Sequence, residues 1–369
     1  MSKPQVLLLG EIDHAHKDWS SLAEIADVLE PKARSRDEFI KECQTGVFDG
    51  VVASYRTFQS VAITGLIDEE LVAVLPKSLK FIAHNGMEFS RIKSREGDRE
   101  SGLELERIEW WGFSGIYADK GIGAGYDQID VQACTKRDIR VSNVPTAVDD
   151  ATADTNMFLI LGALRGYNSS LFALRKGHWK GSPPPPLGHD PQGKVIGILG
   201  MGGIGRNLMK KASAFGMTAQ YHNRTKLSDE LSGGAKYVSF DELLATSDVL
   251  SLNLPLNKQT RHIISTPEFA KMKKGVIIVN TARGAVMDEA ALVKALDDGI
   301  VGSAGLDVFE EEPKVHQGLI DNPSVILLPH MGTWTVETQT QMEVWCIDNV
   351  KSALKTGKLM SPVGEQKNM

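Results

Sequence analysis

Short apolar runs recur along the chain at 6–10, 50–54, 81–83 and 140–143, with helical stretches at 19–28, 36–44 and 68–75 between the first three. Such runs read as strands buried on both faces, and their alternation with helices predicts a parallel α/β unit. From 148 to about 176 a long helical pattern carries Ala151, Ala153, Met157, Phe158, Ile160, Leu161, Leu164 and Leu171. It is longer than most globular helices, and Gly166 is the predicted break. The segment 177–193 holds four consecutive prolines, Pro183 to Pro186, and forms no regular element. Apolar runs resume at 195–199, 220–223, 249–253, 276–280 and 325–328, with a helix at 290–297. A second doubly wound unit is the expectation. The helical pattern at 337–354 closes the chain and is expected to return to the first unit. The predicted fold is therefore α/β with two Rossmann-like domains and a cleft between them. Residues 1–146, completed by 333–369, form one domain, and 147–332 form the other.

Residues 87–122 fit neither pattern. They are rich in charge, carry Trp110 and Trp111, and lack sustained periodicity. A loop of this length inside a compact domain is uncommon and is either functional or disordered. Gly86-Met87 can be encoded GGT-ATG, which contains a splice donor. Tyr117-Ala118-Asp119 can contain the branch-point sequence CTGAC, and Ile122-Gly123 can supply a terminal AG. The segment is read as a retained intron translated in frame and disordered. The competing reading is a regulated lid.

Composition narrows the classes. The chain has 369 residues, long enough for two cores, with 42% hydrophobic and 24% charged residues. A net charge of −6 gives no reason to expect nucleic acid or an anionic membrane as partner. Cys43, Cys134 and Cys346 are odd in number and scattered, which suits neither a disulfide framework nor a metal site. No cationic and apolar leader precedes the first strand, so a cytoplasmic protein is expected.

The chemistry starts at residues 195–199, which run into Gly200-x-Gly202-x-x-Gly205 and then a helical stretch. Strand, glycine turn and helix are what a dinucleotide pyrophosphate requires: a tight turn, close backbone, and amides aimed at phosphate. Three further stretches follow. Arg283 stands after an apolar run in Val279-Asn280-Thr281-Ala282-Arg283-Gly284. A run of acids, Glu310-Glu311-Glu312-Pro313, comes soon after Gly305-Leu306-Asp307. His330 ends Leu327-Leu328-Pro329-His330 and precedes Met331-Gly332-Thr333-Trp334.

In this order the four motifs resemble the D-isomer-specific 2-hydroxyacid dehydrogenase family, whose members include glyoxylate and hydroxypyruvate reductases and D-mandelate dehydrogenases. The likeness covers the chain apart from 87–122. It implies reduction of 2-keto acids to D-2-hydroxy acids, with a flavodoxin-like substrate domain and an NAD(P)-binding domain. Arg283 becomes the residue that orients substrate, Glu312 the carboxylate before proline, and His330 the acid/base. A planar guanidinium suits a keto acid better than an ammonium does. A histidine titrates near neutrality, and a carboxylate beside it stabilises the imidazolium. Glu311 stays open as the alternative partner of His330.

The same resemblance places the cofactor along Gly200, Gly202, Gly203, Ile204 and Gly205, with Asn253, Pro255, Thr281, Ala282, Arg283, Asp307, His330 and Gly332. Gly123, Ala124 and Gly125 match the loop whose amides hold the substrate carboxylate. Tyr55 is a candidate for the cleft or a packing residue, and Trp334 a candidate pocket wall or buried packing. At the end of the second strand of the cofactor unit stand Asn223, Arg224 and Thr225, without an acid until Asp229. NAD-specific sites place a carboxylate there, so NADP(H) is favoured, with NAD(H) also accepted if Arg224 stacks on adenine. The helical region 148–176 and its proline-rich exit resemble the arm by which family members dimerise, so a homodimer is expected. A different class, a nucleotide-sensing partner of other proteins, keeps the same residues, and turnover separates the two.

Overall fold

A computed structural model describes residues 3–86, 125–181 and 183–369. The segment 87–122, with Gly123 and Ala124, lies outside the described residues, as does the expectation of disorder placed on it. Twelve strands in the described residues form two wholly parallel sheets.

The first sheet contains β1 (Gln5–Leu9), β2 (Asp27–Leu29), β3 (Val51–Thr57), β4 (Phe81–Asn85) and β5 (Arg140–Ser142), in the order β2-β1-β3-β4-β5. This order is flavodoxin-like, and its direction reverses between β1 and β3. One face packs Leu7, Leu9, Ile82 and Val141 against helices. The other face, with Val6, Leu8, Ala53, Tyr55 and Ala83, is covered by the closing helix Val336–Thr356 through Met342, Cys346, Ile347 and Val350. Buried Glu343 of that helix accepts the amides of Asp13, His14 and Ala15 at 2.9, 2.9 and 2.6 Å. Three amides on one carboxylate offset the cost of burying it.

The second sheet holds β6 (Val195–Leu199), β7 (Thr218–His222), β8 (Lys236–Tyr237), β9 (Val249–Leu252), β10 (Val276–Asn280), β11 (Val301–Leu306) and β12 (Val325–Leu327). Its order is β12-β11-β10-β9-β6-β7-β8, so the strand order reverses between β6 and β9. In open parallel sheets ligands bind beyond the carboxyl ends of the strands at such a point. The predicted break is at Gly166, which takes φ +61° between helices Asp149–Arg165 and Tyr167–Arg175.

Three features differ from the sequence reading. The predicted helix 19–28 ends at Ala23, and Asp27–Leu29 pairs as an edge strand with Gln5–Leu7. Strand β11 went unread because Val-Gly-Ser-Ala-Gly-Leu has weak strand character. Its Gly305 lets the helix Asp149–Arg165 lie close, since a Cβ there would stand 2.7 Å from Leu159 Cβ. Tyr55 is a core residue and offers nothing to a cleft. It shares the phase of Ala53 on β3, is fully buried, packs edge-on against Trp19, and accepts a bond from Asn85 Nδ2 at 3.1 Å.

Candidate active site

At the reversal point β6 runs into Gly200, with φ +98°, where a Cβ would lie 2.6 Å from the Asn253 carbonyl. At Gly202 a Cβ would meet nothing within 4 Å, so the turn is open beside the first amides of helix Gly203–Ala214. The turn is pinned by Asn223, whose Oδ1 accepts the Met201 amide at 2.7 Å. Arg224 and Thr225 follow it, exposed. Ile204 and Gly205 continue the helix. A narrow glycine turn, free space over Gly202 and the first amides of the helix beside it fit a dinucleotide pyrophosphate.

A buried polar chain underlies this turn. Asn156 donates to Thr281 Oγ1 at 2.6 Å, Ser251 Oγ donates to Asn156 Oδ1 at 2.8 Å, and Asn253 Nδ2 donates to Ser251 Oγ at 3.0 Å. It ties the ends of β9 and β10 to the helix Asp149–Arg165. Pro255 follows on the exposed side of the β9 loop.

Beyond β10, Asn280 shapes the next turn: Oδ1 accepts the Ala282 amide at 3.0 Å and Nδ2 donates to the Arg283 carbonyl at 2.9 Å. Arg283 is thereby turned towards the first sheet, 8% exposed, with Nη1 on the Ala282 carbonyl at 2.6 Å. Its Nη2 stands 3.5 Å from Asp127 Oδ1, so the carboxyl edges of the two sheets meet here. Gly125 lies beneath it, where a Cβ would come within 2.1 Å of Arg283 Nη2.

His330 Nδ1 stands 3.0 Å from Glu312 Oε2, with side chains 11% and 15% exposed. Glu312 Oε1 accepts the Phe309 amide at 2.8 Å, which fixes the carboxylate. Glu311 instead pairs with Lys314 at 3.0 Å, so Glu312 is the acid that faces the imidazole. His330 takes φ +55°, a left-handed conformation that a non-glycine residue holds only when its surroundings impose it. Asp307 imposes it: its carboxylate accepts the amides of Met331 and Gly332 at 2.6 and 2.8 Å, and its carbonyl accepts the His330 amide at 2.9 Å. Burial alone would favour the neutral imidazole, but the bond and charge of Glu312, helped by Asp307, raise the His330 pKa above the usual value. Burial pushes the Asp307 carboxyl up to about 6 against the pull of His330 and the two amides.

Residues 157–332 match the family model "D-isomer specific 2-hydroxyacid dehydrogenase, NAD binding domain". The chain is 52% identical to 4-methyl-2-oxopentanoate reductase A of Aspergillus oryzae over 99% of both chains. The crystal structure of a glyoxylate reductase from Paecilomyes thermophila superposes with a TM-score of 0.87 at 48% identity, covering 100% of each chain. The holo form of Rhodotorula graminis D-mandelate dehydrogenase gives a TM-score of 0.83 at 30% identity, over 99% of this chain and 98% of that one. The chain belongs to the D-isomer-specific 2-hydroxyacid dehydrogenase family. It is an oxidoreductase with an NAD-binding domain, and its relatives act on small keto or hydroxy acids.

In this dehydrogenase Arg283, Glu312, His330 and Asp307 share one site, with Gly332 on the histidine turn. Trp334 is 45% exposed on the turn that enters the closing helix. Gly123 and Ala124 are outside the described residues. Asn156 and Ser251 are polar positions inside apolar runs and carry no motif signal, whereas Asn280 stands within the Val279–Gly284 stretch and shapes its turn. Arg56 and His84 also line the first-sheet edge, with Arg56 Nη1 3.0 Å from His84 Nδ1.

Proposed function

We propose that this dehydrogenase reduces 2-keto acids to D-2-hydroxy acids, with NADPH as the favoured reductant and NADH as the weaker one. The observation that carries the reading is the His330–Glu312 pair at 3.0 Å in the same cluster as the buried Arg283. Arg283 grips the substrate carboxylate and carbonyl with its planar fork. Protonated His330 donates its Nε2 proton to the carbonyl oxygen as the alcohol forms, while Nδ1 stays on Glu312. Glu312 fixes the ring and stabilises its charged form. The nicotinamide supplies the hydride, and Gly200 to Gly205 with Asn253, Pro255, Thr281 and Ala282 would hold the dinucleotide. Asp307 holds the histidine turn and would accept a bond from the nicotinamide amide when the dinucleotide is bound.

The preference for NADPH rests on Asn223, Arg224 and Thr225. Asn223 is engaged with the Met201 amide, and exposed Arg224 supplies the cation that a 2′-phosphate needs. The names of the relatives support a proposed substrate range from glyoxylate at the small end, through 4-methyl-2-oxopentanoate, to a mandelate-type acid at the large end. Trp334 is the candidate wall of the larger pocket. We also infer a homodimer, because Tyr167, Leu171, Phe172, Leu174, Trp179 and Leu187 expose apolar surface along one arm. Turnover of a panel of keto acids with both cofactors tests the reading, and light scattering tests the dimer. Cofactor binding without turnover of any keto acid, or a monomeric mass, contradicts the corresponding part.

A further inference from the structure

The edge of the first sheet carries a charge group that the proposed reaction leaves unused. Arg56, near the end of β3, is fully buried. Its Nη1 meets His84 Nδ1 at 3.0 Å and Gln128 Oε1 at 3.1 Å, while Nε and Nη2 have no partner among the described residues. An arginine only donates, so His84 Nδ1 accepts, and the imidazole is neutral. Burial, and then the charge of Arg56, push the His84 pKa well below its usual value. Burial depresses the pKa of Arg56 itself to about 9, and the one charge that acts to restore it is Asp127.

Asp127 is divided between two cations. Oδ1 stands at the long distance of 3.5 Å from Arg283 Nη2, and Oδ2 is buried with no partner among the described residues. Among the described residues Asp127 is the one carboxylate that acts on Arg56, and it also bonds Arg283, so locally two guanidinium groups outnumber the one anion they share. Buried charges of this kind are costly unless paired, and an incoming carboxylate would pair the surplus. In the structure Asp127 occupies the Arg283 edge that such a carboxylate would need.

We propose that Arg56 is a positioning residue that receives Asp127 when a keto-acid carboxylate takes Arg283. The Nε–H and Nη2–H of Arg56 are the donors and Oδ2 of Asp127 the acceptor, all without partners among the described residues. Neutral His84 and Gln128 hold the Arg56 guanidinium so that these donors stay available. The exchange leaves each carboxylate with one guanidinium, so the substrate is bound without stranding a buried anion. This inference rests on the assignment of Arg283 to the substrate carboxylate.

The test is binding of oxamate, a non-reducible keto-acid mimic, to the full chain saturated with NADPH. Arg56→Met should raise the oxamate Kd about tenfold while the NADPH Kd holds, and in turnover the loss should fall on KM rather than kcat. Arg56→Lys, which keeps the cation, should recover most of the binding. Adding Asp127→Asn to Arg56→Met should restore oxamate to within about threefold of the parent, because the competing charge is gone. A purely structural role for Arg56 would give no such rescue. Should Arg56→Met fail to fold, Asp127→Asn alone decides: it should tighten oxamate, and weaker binding overturns the exchange. An unchanged oxamate Kd in Arg56→Met, or no rescue in the double variant, overturns it equally. Arg283→Lys separates the two assignments. Parental oxamate binding there removes Arg283 from the substrate, whereas weak binding there with normal binding in Arg56→Met removes only Arg56.

Discussion

The two sheets meet at one site but present it differently. On the second sheet the groups around the proton donor arrive with their partners, His330 on Glu312, Glu312 on the Phe309 amide, Asp307 on two amides and Asn280 on both ends of its turn, while Asn253 Oδ1 on the cofactor side is buried without one among the described residues. At the edge of the first sheet Arg56 Nε and Nη2, Asn85 Oδ1 and, in the loop before helix Val131–Lys136, Asp127 Oδ2 are buried without a partner among the described residues. Satisfied buried networks are rigid, and unsatisfied ones retain the capacity to bind. The proton-donating half is thus built in advance, and the substrate-holding half keeps polar groups in reserve.

Breaking the built half should have the largest effect. His330→Ala is expected to lower kcat by about a thousandfold while the NADPH Kd stays within about twofold, read by steady-state kinetics and fluorescence titration. Turnover close to the parent would remove the proton donor from His330. The next effect concerns the first half. A chain lacking 87–123 joins Gly86 to Ala124, and its keto-acid kcat/KM is expected to exceed that of the full chain by about tenfold. Equal values, with 87–122 resistant to trypsin, would make the segment a working part of the protein. An effect of similar size falls on the cofactor. Arg224→Asp sets a carboxylate where a 2′-phosphate would lie, and the NADPH-to-NADH ratio of kcat/KM should fall by about tenfold. An unchanged ratio would turn Arg224 away from the ribose.

The same contrast explains what the sequence made legible. The glycine turn, Arg283, Glu312 and His330 sit in contiguous motifs at strand ends, where local pattern and chemistry coincide. Arg56, His84 and Gln128 come from separate segments and meet only because β3 and β4 pair with Arg56 beside His84. That register is invisible before the sheet is assembled. Tyr55 shows the limit of reading one residue at a time: strand phase sends it into the core with Ala53 and gives the opposite face to Arg56. Strand β11 escaped because its glycines serve helix packing rather than strand propensity.

Glu312 tunes His330 as the proton donor, and a pH–rate profile is the sharpest test of that pairing. The folded-state pKa of His330 is raised, so the protonated donor persists above the usual histidine value and is lost as pH climbs through the raised pKa. Keto-acid reduction by the parent should therefore hold on the acid side and fall on the alkaline side of that pKa. Glu312→Gln keeps the shape, removes the charge, and should move the fall to lower pH, with hydroxy-acid oxidation following the opposite limb. Superimposable profiles for parent and variant would contradict the pairing of His330 with Glu312 as the source of the proton.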